Sequence, residues 1–144
     1  VLGAGKNESS TTLTGVVILP MADGVKSFHD LVAWQKAMEL VTEIYTISQK
    51  FPKEEILGLT SQIRRAAVSI PSNIAEGRGK SSTGEFQQFL YHAKSSLAEV
   101  ETQLIIAKNL GYVESPELSH IMELVGRVGR LLYGLLSAIK KTKS

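Results

Sequence analysis

Residues Leu57–Lys80 read LGLTSQIRRAAVSIPSNIAEGRGK, and this stretch decides the fold. Apolar residues recur at Leu59, Ile63, Ala66, Ala67, Ile70 and Ile74, the spacing of one face of an α-helix. Arg65, Ser69, Asn73 and Glu76 follow one another at steps of four, four and three, which predicts a polar stripe beside the apolar one. Pro71 lies inside the run. It removes one backbone donor and frees the carbonyl of Ala67, so a kink is expected there. Gly77 and Gly79 are stop signals. A helix with two organised faces that tolerates a proline is expected to have packing partners on both. The stripe is therefore expected to be partly buried against another helix or subunit. The plainer alternative pairs Arg65 with Glu76 or with acids on a neighbouring helix.

Outward from this helix, three more amphipathic segments follow. Upstream, Ser27 to Asp30 has the form of a capping box, and a helix is predicted from there to about Phe51, ended by Pro52. Its core face is read as Leu31, Trp34, Met38, Val41, Tyr45 and Ser48, widened by Ile44 and Ile47. Residues 52–58 form a connecting turn. Downstream, Ser82-Thr83-Gly84-Glu85 is a second capping box, opening a helix that runs to about Leu110 with Gly111 as its stop. Phe86, Leu90, Ala93, Leu97, Val100, Leu104 and Ala107 form an a/d seam along it. Ser115-Pro116-Glu117 starts a fourth helix, whose seam is Leu118, Ile121, Val125, Val128, Leu132, Leu135 and Ile139. Leu124, Leu131 and Leu136 fall outside that seam and predict an apolar patch on a monomer, hence an interface. Gly126, Gly129 and Gly134 each cost about 1 kcal/mol relative to Ala in a helix. They predict a close helix–helix or intersubunit contact, with Ser95, Ser96 and Ala98 as candidate partners. Four such helices joined by short loops predict an all-α, antiparallel up-down-up-down four-helix bundle.

Residues 1–20 do not match the rest. Lys6 to Thr14 is Ser/Thr-rich, Gly15 to Leu19 is a short β-branched run, and the first Met is Met21. This segment is read as an upstream extension or cloning remnant, mobile and dispensable, and residues 21–144 as the bundle domain. The alternative is an ordered arm that adds to a neighbouring chain. A secretory signal would need a basic start and a longer apolar region.

With 144 residues and 43% apolar content, the chain can build one domain with a core. It has no cysteine, which excludes disulfides and thiolate metal sites. No apolar run approaches the roughly 20 residues that span a bilayer. His29, His92 and His120 fall on three different predicted helices. Glu117 and His120 make a single Glu-x-x-His, whereas a di-iron bundle needs two with two further carboxylates. No nucleophile motif such as Gly-x-Ser-x-Gly occurs. Gly77-Arg78-Gly79-Lys80-Ser81-Ser82 resembles a phosphate loop only superficially, lacking the preceding strand and the full spacing. No catalytic residue, metal or cofactor is expected, and the chain is expected not to be an enzyme. A bundle-core metal enzyme is the reading that elemental analysis would exclude.

The net charge is only +2, so any electrostatic argument rests on clustering. Arg64, Arg65, Arg78 and Lys80 gather along the second helix and its exit. Arg127, Arg130 and Lys141 share one face of the fourth. From Pro116 onward five basic residues face two acidic ones, Glu117 and Glu123. Arg78, Lys80, Arg127 and Arg130 are the candidate phosphate contacts. The competing reading makes them solvated charges that complement helix dipoles. No interleaved aromatics point to base stacking.

The central run LTSQIRRAAVSIPSNIAEG resembles the signature of small bacterial four-helix-bundle proteins encoded in intervening sequences of 23S rRNA genes. LVAWQKAMELVTEIYTISQKFPKEE (Leu31–Glu55) and EFQQFLYHAKSSLAEVETQL (Glu85–Leu104) fit the same family. The resemblance covers about Phe28 to Lys141. Leu57 departs from it, standing where the family pattern has an aromatic. The family is similar to the accessory proteins of diversity-generating retroelements, which form five-fold barrels and act with a reverse transcriptase and RNA. The resemblance therefore implies a cytoplasmic, non-enzymatic homo-oligomer, a ring of five. It also implies an accessory or scaffold role in contact with RNA or DNA or with a nucleic-acid enzyme such as a reverse transcriptase. The rival expectation is a protein-binding adaptor that never touches nucleic acid.

Overall fold

A computed structural model describes residues 11–13, 16–18, 28 and 31–143. Four helices dominate: α1 (Val32–Ser48), α2 (Leu59–Arg78), α3 (Thr83–Asn109) and α4 (Ser115–Lys143). Each helix packs on the next, and α4 closes back on α1, while the diagonal pairs α1–α3 and α2–α4 do not approach. This closed square of helices is an all-α bundle around one core. Ahead of it, β1 (Thr11–Leu13) and β2 (Val16–Ile18) pair antiparallel, Leu13 opposite Val16. β2 lies against α4. Paired strands thus occur inside the segment expected to be a mobile extension. The Ser27–Asp30 capping box falls outside the described residues.

α2 contains the stretch from which the fold was read. Ile63, Ala66, Ala67, Ile70 and Ile74 are buried and Leu59 is half-buried, as the spacing requires. Pro71 is accommodated within the helix and buried. Gly77 is not the stop. It is the last buried turn of the helix, and Gly79 is the C-cap. A Cβ on Gly77 would lie 2.6 Å from Phe89 Cβ and 3.0 Å from Phe86 Cδ1, so only glycine lets the end of α2 sit against the start of α3.

The two long seams of α3 and α4 are buried along their whole length. Ser82 accepts from the Glu85 amide at 3.1 Å, the predicted N-cap, and Gly111 takes a positive φ of 79° just past the C-cap of α3. Leu131 and Leu136 are also buried and Leu124 is half-buried, so the patch predicted on α4 is absent from a single chain. Gly129 does serve a helix–helix contact, its Cβ position 3.4 Å from Leu97 Cδ2 on α3. Ser96 does not join that contact; it faces α2, while Ser95 and Ala98 are exposed.

α1 departs furthest from expectation. Leu31, Ile44, Ile47 and Ser48 are buried as expected, but the rest of the buried face is Ala33, Ala37 and Leu40, one position earlier than Trp34, Met38 and Val41. Met38 and Tyr45, expected in the core, are 42% and 41% exposed, and Trp34 and Val41 are half-buried. The two stripes share the same four-three spacing, so periodicity cannot choose between them. The alanines take the inner one because small side chains let α1 approach its neighbours, leaving the larger residues on the flank.

Candidate nucleic-acid interface

The eight residues singled out in the sequence occupy three separate places. On α2 the polar stripe divides. Ser69 and Asn73 are half-buried, whereas Arg65 and Glu76 are exposed. Asn73 Nδ2 donates to the Ser69 carbonyl at 2.8 Å and to Ser69 Oγ at 3.0 Å. Ser69 Oγ lies 2.6 Å from Ser96 Oγ on α3. The arrangement lets Ser69 accept from Asn73 and donate to Ser96, tying α2 to α3 through a satisfied polar relay. Arg65 and Glu76 take no part, and they form no ion pair with each other or with a neighbouring helix among the described residues. The middle of the stripe therefore joins α2 to α3, and its ends face outward.

Arg78 and Lys80 lie where α2 leaves the bundle. Arg78 is half-buried and Lys80 exposed, with the Lys80 ammonium 5.3 Å from the Phe89 ring centroid. The ring face attracts the cation electrostatically and holds it beside the start of α3. The turn itself is tight, Lys80 N–H donating to the Gly77 carbonyl at 3.0 Å. It is a glycine-rich connection between helices, as the spacing implied.

Arg127 and Arg130 lie on the α1 side of α4, lining a groove of about 560 Å³ with Lys36, Glu39 and Glu43 of α1 and His120 and Glu123 of α4. Lys36 is paired with Glu39 at 2.9 Å, and His120 Nε2 stands 3.8 Å from Glu43. Three carboxylates thus face three cations here, which cancels much of the positive field that the sequence around α4 suggests. A Cβ on Gly126 would stand 3.4 Å from Arg130 Nη1, an ordinary contact with the end of a flexible side chain. Because α2 and α4 are diagonal, the two cation pairs line different surfaces of a single chain.

Two features escaped the sequence reading. Arg64 is anchored, its Nε donating to Ser48 Oγ at 2.8 Å and its Nη2 to the Tyr45 carbonyl at 3.3 Å, with the guanidinium 4.6 Å from the Tyr45 ring centroid. The second feature is a clasp between the two loops at one end of the bundle. Glu55 sits in a single 3₁₀ turn, Lys53–Glu55, and its Oε1 accepts from the Leu59 amide at 2.9 Å, capping α2 from four residues back. Its Oε2 accepts from Tyr112 Oη at 2.9 Å, and Tyr112 packs on Phe51 with ring centroids 5.6 Å apart. The Leu59 amide and then the Tyr112 hydroxyl hold the Glu55 carboxyl below its usual range. The same bond, with burial and the charges of Glu55 and Glu54, raises the Tyr112 phenol. Lys50, in the turn after α1, and Glu117 of α4 add an ion pair. Among the described residues no cluster of three or more His, Asp or Glu could hold a metal, and no helix is long and apolar enough to cross a membrane.

Fold and surface together define a four-helix protein with dispersed cations and a tightly joined α2–α3 pair. Residues 29–134 match the family of 23S rRNA-intervening sequence proteins, and the chain belongs to that family. No curated protein matches it.

Proposed function

We propose that the protein is a non-enzymatic, cytoplasmic scaffold: an antiparallel up-down-up-down bundle that assembles with copies of itself and contacts nucleic acid or an enzyme acting on it. Support for the antiparallel order comes from the contact pairs. Ser69 meets Ser96 and Gly77 meets Phe86, while Arg64 meets Ser48 and Glu43 faces His120. The observation that carries the functional part is membership of a family tied to rRNA genes, joined to the Lys80–Phe89 edge, an exposed cation held over an aromatic ring. A ring of five is the assembly that the likeness to retroelement accessory proteins implies, and a reverse transcriptase with its RNA is the corresponding partner. Ring closure would bring each copy's Arg78 and Lys80 around one axis, where repeated single cations sum to a strong field.

Retention of RNA on immobilised protein across a salt series tests the reading. Phosphate contacts weaken steeply as salt rises. Arg78→Ala with Lys80→Ala is expected to lower retention and flatten the salt dependence. Arg127→Ala with Arg130→Ala is expected to do less, because Glu39, Glu43 and Glu123 share their groove. Retention that no variant changes would leave the protein-binding adaptor as the better account, a reading favoured by the exposed apolar residues of α1 and α2.

A further inference from the structure

α2 carries no aromatic residue, but the fold places one beside its arginines. Tyr45 of α1, Ile56 of the connection and Ser61, Arg64, Arg65 and Val68 of α2 line a groove of about 430 Å³. None of the residues lining it is acidic. The α1–α4 groove differs in this respect, since Glu39, Glu43 and Glu123 stand there beside Arg127 and Arg130. Of these two grooves, the one between α1 and α2 is therefore the better place for an anion.

Arg64 is held in place from α1. Its Nε donates to the hydroxyl of buried Ser48, its Nη2 donates to the Tyr45 carbonyl, and its guanidinium lies over the Tyr45 ring. A guanidinium ordered in advance loses little freedom when a ligand arrives, and Nη1 still has its hydrogens to offer. Arg65 is exposed and makes no hydrogen bond or ion pair among the described residues. Tyr45, Ile56 and Val68 are exposed as well, so flat and apolar surface lies next to the two cations. Unpaired nucleotides are bound by that combination: cations meet the phosphates, while bases stack on aromatic rings or guanidinium planes. A duplex keeps its bases stacked inside and cannot use the flat surface. Carboxylates of a protein partner would also meet the arginines, but the tie of the family to rRNA genes favours RNA.

We propose that the α1–α2 groove is a subsite for single-stranded RNA, in which an unpaired base lies against the Tyr45–Arg64 pair and the adjoining phosphate meets Arg65. This rests on the nucleic-acid reading above and adds to Arg78 and Lys80 a site that holds a base as well as a phosphate. Met38 and Leu57 are exposed too but do not line the groove, and they remain for contacts between copies.

Fluorescence anisotropy of a short labelled oligouridylate, read across a salt series, tests it. Tyr45→Leu removes the ring and keeps an apolar side chain. It is expected to weaken binding by about 5-fold or more, the lower end of what one stacked base contributes, with the salt dependence unchanged. Tyr45→Phe keeps the ring and is expected to bind as the unaltered protein does. Arg65→Ala removes no contact within the chain, so the fold is kept. It is expected to lower the slope of log affinity against log salt by about 0.7, the share of one phosphate on a single strand. The duplex with oligoadenylate is expected to compete poorly, and polyglutamate less well than oligouridylate. Binding that both Tyr45→Leu and Arg65→Ala leave unchanged, with helical content intact, would overturn the groove and leave the Arg78 and Lys80 reading standing. Competition by the duplex equal to that of the single strand would overturn the place for the base. Polyglutamate that displaces the probe as well as oligouridylate does would replace RNA with an acidic protein partner. An unaltered protein that binds no RNA would remove the nucleic-acid reading, and this inference with it.

Discussion

Gly77 and Ser69 mark the seam where α2 and α3 come closest. A methyl group on Gly77 has to displace Phe89 at its Cβ, next to the backbone, where little can yield. Gly77→Ala is expected to destabilise by about 1–3 kcal/mol, the usual range for overpacking. Gly129→Ala meets only a terminal carbon of Leu97 at 3.4 Å. There the gain in helix propensity, up to about 1 kcal/mol, offsets the small displacement. Urea midpoints of the two variants should differ clearly, and equal midpoints would show that the α2–α3 contact is not as close as described. Ser69→Ala strands the Ser96 hydroxyl in a buried setting and is expected to cost about 1–3 kcal/mol. Arg65→Ala removes no contact within the chain and should stay within about 0.5 kcal/mol for the dissociated chain. An Arg65 effect as large as that of Ser69 would place Arg65 in a buried pair. The sequence showed that four polar residues share a stripe; it could not show that only the inner two meet another helix, because that depends on which α3 residues stand opposite.

For the elements, the helices were legible where one stripe was clearly apolar. The α3 and α4 seams have no competing register, and their caps are local motifs of Ser, Pro, Glu and Gly. α1 was read in part: Leu31, Ile44, Ile47 and Ser48 are buried as expected, but two stripes with the same spacing compete, and the alanines of the true face carry a weaker hydrophobic signal than Met38 and Tyr45. The Glu55 clasp was invisible for another reason. Tyr112 is 57 residues away in sequence, and only the folded loops bring the two together. That clasp predicts a pH dependence. A carboxyl held lower in the folded chain adds stability above its unfolded value, about 4.3, and loses it as pH falls through the folded value. The raised Tyr112 phenol acts at the other end, contributing below its unfolded value near 10 and losing the contribution as pH rises through the folded one. Thermal midpoints of the unaltered protein and of Glu55→Gln should therefore converge in acid and separate near neutrality. A constant difference across pH 2–7 would mean that the carboxylate charge is not what closes the two loops.

At the scale of the whole molecule, a net charge of +2 gives no strong field to a single chain, and the acids around Arg127 and Arg130 weaken the one face that composition favoured. The apolar surplus also lies elsewhere than the sequence implied. Leu131 and Leu136 are spent within the chain, while Met38, Tyr45, Ile56, Leu57 and Val68 remain outside it. Tyr45, Ile56 and Val68 line one groove, and large exposed apolar patches mark protein–protein contacts. Assembly is therefore the property on which the proposed phosphate contacts of Arg78 and Lys80 depend. Light scattering on the purified chain at micromolar concentration measures it directly. The account predicts a multiple of the 15.7 kDa chain, with five copies the expected number. A mass of 15.7 kDa, unchanged as concentration rises, would contradict it.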